Sequence, residues 1–264
     1  MTKHLEQVKL VREHFDKVSS EWADLYSGDV SFYNYNFIIR RKYVLDLLGK
    51  PGGRVLDAGC GTGDFIPELL DRAEEVFALD FAEEMVEKAK SRIAPDERSR
   101  GVHFSVGDVC NLEFQDDYFD AIIAVGLIEY LADVGTALRQ MRRVLKPGGV
   151  LVITVPNLAS PFMAYETFVP KCKRAVKRAL DLAGLRKLEP QFLHRHFFPW
   201  MLDRQLNRAG LNKIDFAFCS YGLTAESLSS LSLKLSRRLD RLGRSRFGIV
   251  ATNYIVKAQK ASGF

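Results

Sequence analysis

A chain of 264 residues, 47% hydrophobic and 27% charged, can bury a sizeable core and has too much apolar content for disorder. No apolar run approaches the roughly 20 residues needed to cross a bilayer, and the first residues lack the apolar core of a secretion signal, so a cytoplasmic protein is expected. The net charge of +5 gathers after residue 170 and comes with no helix-turn-helix, RNA-binding or zinc-finger pattern, which argues against a nucleic-acid partner.

In chain order, Leu5, Val8, Val11, Phe15 and Val18 recur at helical spacing and predict a first helix. Asp29-Val30-Ser31 could cap a second, from Phe32 to Leu48, which Gly49-Lys50-Pro51-Gly52-Gly53 closes. Its rings (Phe32, Tyr33, Tyr35, Phe37, Tyr43) fit packing on a sheet, or an amino-terminal lid that turns Tyr33, Arg40 or Arg41 toward a ligand. Val55-Leu56-Asp57 reads as a buried strand running into Ala58-Gly59-Cys60-Gly61-Thr62-Gly63. Glycine can take positive φ and lets a ligand lie on the backbone. An acid ahead of the glycines would repel a pyrophosphate but suits an ammonium group. The four cysteines (Cys60, Cys110, Cys172, Cys219) form no CxxC pair and have no histidine at ligand spacing, so reduced thiols and no metal site are expected.

Helices follow at Asp64–Ala73, Ala82–Arg92 and Asp133–Leu145. Between them, Glu75–Asp80, Val102–Asp108, Phe119–Val125 and Val150–Asn157 read as buried strands. Such alternation predicts a doubly wound, mostly parallel sheet covered on both faces. Right-handed crossovers would bring Asp57, Asp80, Asp108 and Gly126 to one edge of it. Asn212–Ser220 and Phe247–Lys257 read as two last strands, an antiparallel pair closing the sheet.

An acid at the end of the strand after a glycine loop can hold the two hydroxyls of an adenosine ribose, which suits Asp80. With Asp57 ahead of the glycines and Asp108 closing the third strand, the chain resembles the class I S-adenosylmethionine-dependent methyltransferases. Asp57-Ala58-Gly59-Cys60-Gly61-Thr62-Gly63 is similar to their first motif, and Ala78-Leu79-Asp80-Phe81-Ala82-Glu83-Glu84-Met85 to their ribose-binding segment. Gly107-Asp108-Val109 resembles their adenine-binding turn, and Val144-Leu145-Lys146-Pro147-Gly148-Gly149-Val150-Leu151 the entry to the fifth strand. The resemblance covers about residues 54–157. It implies a Rossmann-like methyltransferase fold of seven strands with S-adenosylmethionine as cofactor. Gly59, Cys60, Gly61 and Gly63 would approach the methionine part and ribose, and Asp57 the ammonium. Asp80 would take the ribose hydroxyls, and Phe81 and Met85 would pack near the adenine. Asp108 and the Val109 N–H would read the adenine, Val125 and Gly126 would line the methionine side, and Tyr33 and Arg40 would reach in from the lid.

Methyl transfer from a sulfonium needs positioning more than a dedicated catalyst, and a base helps only when the acceptor must lose a proton. Candidates for that help are Glu129, Tyr130, His194 and His196. Many small-molecule relatives carry Glu-His after the fourth strand; Tyr130 stands in the histidine's place here, which weakens any borrowed base or metal role. The segment 158–198 predicts a helical cap, with a basic amphipathic helix around Lys171–Ala183. A second such helix, Leu228–Leu242, carries Lys234, Arg237, Arg238 and Arg241. One domain is therefore expected, made of a helical lid (1–50), a cofactor-binding core (51–157), a cap (158–198) and a part completing the sheet (199–264). The expected reaction is methylation of an O or N atom of a small or lipid-like acceptor, with peripheral contact to anionic membrane as a sharper form. Aminopropyl transfer, a non-catalytic cofactor-binding module and a nucleic-acid methyltransferase are the alternatives.

Overall fold

The computed structural model describes residues 8–17, 34–93, 98–165, 167–168, 194–221 and 229–262. Seven strands form one sheet in the order β3-β2-β1-β4-β5-β7-β6. They are β1 (Arg54–Ala58), β2 (Glu75–Asp80), β3 (Val102–Val106), β4 (Phe119–Ala124), β5 (Leu145–Pro156), β6 (Leu211–Cys219) and β7 (Asn253–Lys260). The first five run parallel; β7 is antiparallel to both β5 and β6. The chain winds outward from β1 to β3, then returns to lay β4 on the other side of β1. That reversal opens a crevice at the carboxyl ends of β1 and β4, where doubly wound sheets bind ligands.

The helices are α1 (8–17), α2 (Tyr35–Leu48), α3 (Ile66–Leu70), α4 (Glu83–Arg92), α5 (Val134–Val144), α6 (161–165), α7 (Pro199–Arg208) and α8 (Ser229–Leu239). Neighbouring strand residues point to opposite faces, so Val55 joins one core layer and Leu56 the other. Val55, Ala121 and Val152 pack with Val44 and Leu48 of α2 and with Ile66 and Leu69 of α3. Leu56, Ile122 and Ile153 pack with Leu138 and Met141 of α5 and with Leu202 and Leu206 of α7. Each fully buried side chain of this size contributes about 1.5–3 kcal/mol of transfer free energy. Asp133 caps α5 by accepting from Thr136 N at 3.0 Å, and Arg142 and Arg143 occupy its last turn, where cations suit the macrodipole.

Several boundaries move from the sequence expectation. The last strand begins at Asn253, because Arg246–Val250 forms a 3-10 turn that leaves Phe247 75% exposed; an apolar run does not fix where a strand starts. β5 starts at Leu145, so the Lys146–Gly149 turn lies within the strand's span beside a register shift in the β4–β5 pairing. The helix placed at Asp64–Ala73 shortens to Ile66–Leu70, since the glycine loop continues through Phe65. The leucine-rich helix is α8 and ends at Leu239, followed by a 3-10 turn through Leu242. Tyr33, Cys172 and the basic stretch Lys171–Ala183 lie outside the described residues.

Candidate active site

The carboxyl ends of β1, β2 and β4 and the turn after β3 open into one cavity of about 670 Å³, which α1, α2, α6 and α8 help to wall. Its floor is the glycine loop. Gly59 takes φ +77°, and a Cβ there would stand 3.0 Å from Leu127 Cδ1, so the tight turn needs glycine. Gly59 N and Cys60 N both donate to Leu79 O, at 2.7 and 3.0 Å, which ties the loop to β2. Gly63 (φ +78°) is not among the residues lining the cavity, and a Cβ there would meet Ala89 of α4 at 3.0 Å.

β1 delivers Asp57, only 1% exposed, whose Oδ2 has no hydrogen-bond partner among the described residues. Burial pushes its carboxyl up to about 8, with the Asp80 and Asp64 carboxylates adding to the effect. These neighbours favour its protonated form; an ammonium placed against it would favour the carboxylate. β2 delivers Asp80, whose Oδ2 accepts from Gly61 N at 2.9 Å and whose Oδ1 accepts from Ala82 N at 3.0 Å. Burial raises Asp80, and these backbone donors oppose the rise. Each oxygen has a further lone pair that could accept from a diol.

Past β2, Phe81 and the buried Met85 line the same side, and beyond β3 so do Asp108 and Val109. Asp108 is exposed and fixes its own turn, accepting from Cys110 N at 2.8 Å. On the β4 side, Val125 and Gly126 line the cavity, with Gly126 N donating to Thr154 Oγ1 at 3.0 Å. Arg40 of α2 lines it too, whereas Arg41 turns away to Glu68 at 3.5 Å and Asp64 O at 3.4 Å.

Of the four residues singled out for catalysis, Glu129, Tyr130 and His194 line the cavity and His196 does not. The His194 ring stacks on Tyr130 (centroids 4.9 Å, 16°), and His196 meets His194 edge-on (centroids 4.9 Å, 63°). Partial burial holds His194 below the ordinary histidine range. Glu129 is 3% exposed and its Oε2 has no partner among the described residues; burial lifts it to about 7, while its own backbone N–H and Arg40 pull it down.

Some cavity residues were not assigned from sequence. Arg12 of α1 sits with its guanidinium 5.6 Å from the Phe81 ring centroid, and Phe15 meets Tyr130 edge-on at 5.0 Å. Helical spacing placed both on α1 but could not say what α1 covers. The glycine loop is clamped by Arg92, which donates to Asp64 Oδ1 and Thr62 O, each at 2.8 Å, while Thr62 Oγ1 donates to Asp64 Oδ2 at 2.7 Å. Ser220, Tyr221, Thr252 and Asn253 close the side toward β6 and β7.

Residues 56–153 match a family model described as a methyltransferase domain. Among curated relatives, the demethylmenaquinone methyltransferase of Staphylococcus haemolyticus is 29% identical over 242 residues, covering 86% of this chain and 96% of that protein. The demethylmenaquinone methyltransferase of Staphylococcus aureus strain JH9 is 32% identical over 168 residues, 60% of this chain and 68% of that protein. Among solved structures, a chain from a Haloferax volcanii complex between the Trm112 methyltransferase activator and a methyltransferase superposes with a TM-score of 0.66. It is 19% identical, covering 96% of this chain and 99% of that one, and speaks for the fold alone.

Proposed function

The chain belongs to the class I S-adenosylmethionine-dependent methyltransferases, and from that premise we propose that it methylates a small, largely apolar, lipid-like acceptor held beside the cofactor. S-adenosylmethionine is the cofactor; when bound it supplies an electrophilic methyl carbon on a sulfonium. The residues of the glycine loop fit it chemically. The unpartnered, desolvated Asp57 Oδ2 suits the amino acid's ammonium, and Asp80, held by backbone donors, has lone pairs left for the ribose hydroxyls. Phe81 and Met85 would pack on the adenine, with Asp108 and the Val109 N–H reading its edge. With both partners held, most of the rate would come from near-attack positioning.

The observation that carries the acceptor reading is the apolar part of the cavity lining. There Phe37, Leu131, Phe162, Met163, Leu233 and Tyr221 present rings and aliphatic groups. A polar substrate such as a polyamine would find few partners among them. The curated relatives are named for demethylmenaquinone, which makes that molecule the first acceptor to try. Incubation with methyl-labelled cofactor and demethylmenaquinone, oxidised and reduced, should give a labelled organic-phase product. Labelling only of a polar acceptor would overturn the apolar reading.

A second reading concerns how such an acceptor arrives. Phe247, Ile249 and Val250 are exposed next to Arg241 and Arg244, themselves exposed, and no described helix is long and apolar enough to cross a membrane. Apolar side chains among cations suit an anionic bilayer surface. Flotation with phosphatidylglycerol vesicles at low salt should carry the protein upward; failure to float would remove membrane contact from the account.

A further inference from the structure

Two side chains of the cavity wall combine deep burial with an unmet hydrogen-bonding group and have no place in cofactor binding. Glu129, 3% exposed, follows β4; its Oε2 has no partner among the described residues. Tyr221, 6% exposed, follows β6; its hydroxyl has none either. Both line the cavity that holds the glycine loop. A buried carboxyl or hydroxyl left unsatisfied costs roughly 1–3 kcal/mol or more, so such groups are rare unless something else completes them.

The neighbouring polar groups are already engaged. Tyr35 donates to Asp240 Oδ2 and Tyr43 to Asp240 O, and Asp240 Oδ1 accepts from Ser220 N at 2.8 Å. Ser236 Oγ donates to Tyr221 O at 2.7 Å, and Asn253 Nδ2 donates to Asn36 Oδ1 at 2.7 Å. Arg40 Nη1 and Glu129 Oε1 both stand 3.8 Å from where a Cβ on Gly126 would project, so cation and carboxyl flank one glycine.

We propose, building on the acceptor reading above, that Glu129 and Tyr221 are the polar grip of the acceptor subsite. The acceptor is then an apolar molecule whose nucleophilic atom X carries a weakly acidic hydrogen and lies near a second oxygen. Tyr221 donates its hydroxyl hydrogen to that oxygen. Glu129 takes the X–H hydrogen as a proton; the X–H electron pair forms the X–C bond to the methyl group, and the C–S pair stays on sulfur. Proton, methyl and electron pairs balance with no further reactant. Arg40 of α2 is the cation opposing the Glu129 proton, with the residue's own backbone N–H acting in the same sense; Tyr130, His194 and Asp57 line the same cavity. A carboxyl that titrates near neutrality suits a general base at physiological pH.

The test uses the full chain as wild type, Glu129→Gln and Tyr221→Phe, both near-isosteric. Calorimetry with S-adenosylhomocysteine and thermal unfolding come first; both variants should bind it like wild type. With dihydroxynaphthalene, an apolar bicycle bearing two weakly acidic hydroxyls, fluorescence titration of the loaded protein should show each variant weakened about tenfold. With reduced demethylmenaquinone, Glu129→Gln should lose about 100-fold or more in kcat together with the rise of rate through pH 7. Tyr221→Phe should raise KM and keep the pH profile. Wild-type affinity for dihydroxynaphthalene in both variants, no binding of it by wild type, or an unchanged pH profile in Glu129→Gln would each overturn the grip. Failure of wild type to methylate any apolar acceptor, with the binding differences intact, would instead count against the acceptor reading and leave the grip standing.

Discussion

At the amino-terminal edge of the sheet, Asp120 accepts from Lys146 Nζ at 2.8 Å with both oxygens and from Arg54 N at 2.8 Å. Arg143 is as fully engaged there, donating to Leu112 O, Phe114 O, Asp116 and Gln140, and Lys260 reaches Asp117 and Leu145 O. At the carboxyl edge, Asp57 and Glu129 are buried more deeply and each keeps an oxygen without a partner among the described residues. Burial alone would raise Asp120, but Lys146 and the Arg54 N–H outweigh it and hold it below the usual carboxylate range, whereas Asp57 is pushed up to about 8. Asp120 is satisfied from within, whereas Asp57 and Glu129 each leave an oxygen for a ligand to satisfy. For these carboxylates, an unmet buried oxygen marks the working end better than charge does.

The comparison breaks most visibly at Asp80. Replacing it with alanine removes the acceptor for Gly61 N and Ala82 N together with the proposed ribose contact, and should weaken S-adenosylhomocysteine binding at least 100-fold by calorimetry. Next comes Asp57→Asn, expected to lose about tenfold or more in the same assay while making the ligand-free protein more stable at pH 8. The sign follows from the raised value. Between about 4 and 8 the folded state holds a proton that the unfolded state has lost, so stability falls as pH rises through that window. Asparagine removes that slope, visible as a flatter melting temperature between pH 5 and 8.

At the opposite edge the pattern should invert. Asp120→Ala leaves Arg54 N and Lys146 without their acceptor at a partly exposed site and should cost about 1–2 kcal/mol in urea unfolding. Cofactor affinity should not change. The smallest effect belongs to the Arg54–Glu75 pair, which solvent reaches on both sides; Glu75→Gln should leave unfolding and binding indistinguishable from wild type.

The parallel half of the sheet was legible because its strands are short apolar runs closed by Asp57, Asp80 and Gly126, and burial on both faces demands such runs. Asp57 was legible as a strand-end acid leading into glycines, and Asp80 as the acid that ends the strand after the glycine loop. The last strand was misplaced because Phe247, Ile249 and Val250 are apolar yet exposed, so hydrophobicity there does not report burial. Arg12, Tyr221 and the Asp64–Arg92 clamp depend on contacts between segments far apart in the chain, which no local pattern encodes. Glu129 could be named from its place after β4, but its isolation is a property of the packed cavity.

The account rests on the carboxyl edge holding back groups that a ligand completes, and Asp57 allows a direct reading of it. Binding of S-adenosylhomocysteine at pH 7, followed by calorimetry in buffers of different ionisation enthalpy, counts protons exchanged on binding. The account predicts net release approaching one proton by wild type, as the ammonium draws the proton from Asp57, and none by Asp57→Asn. Equal heats in every buffer for wild type, or release that persists in Asp57→Asn, would contradict it.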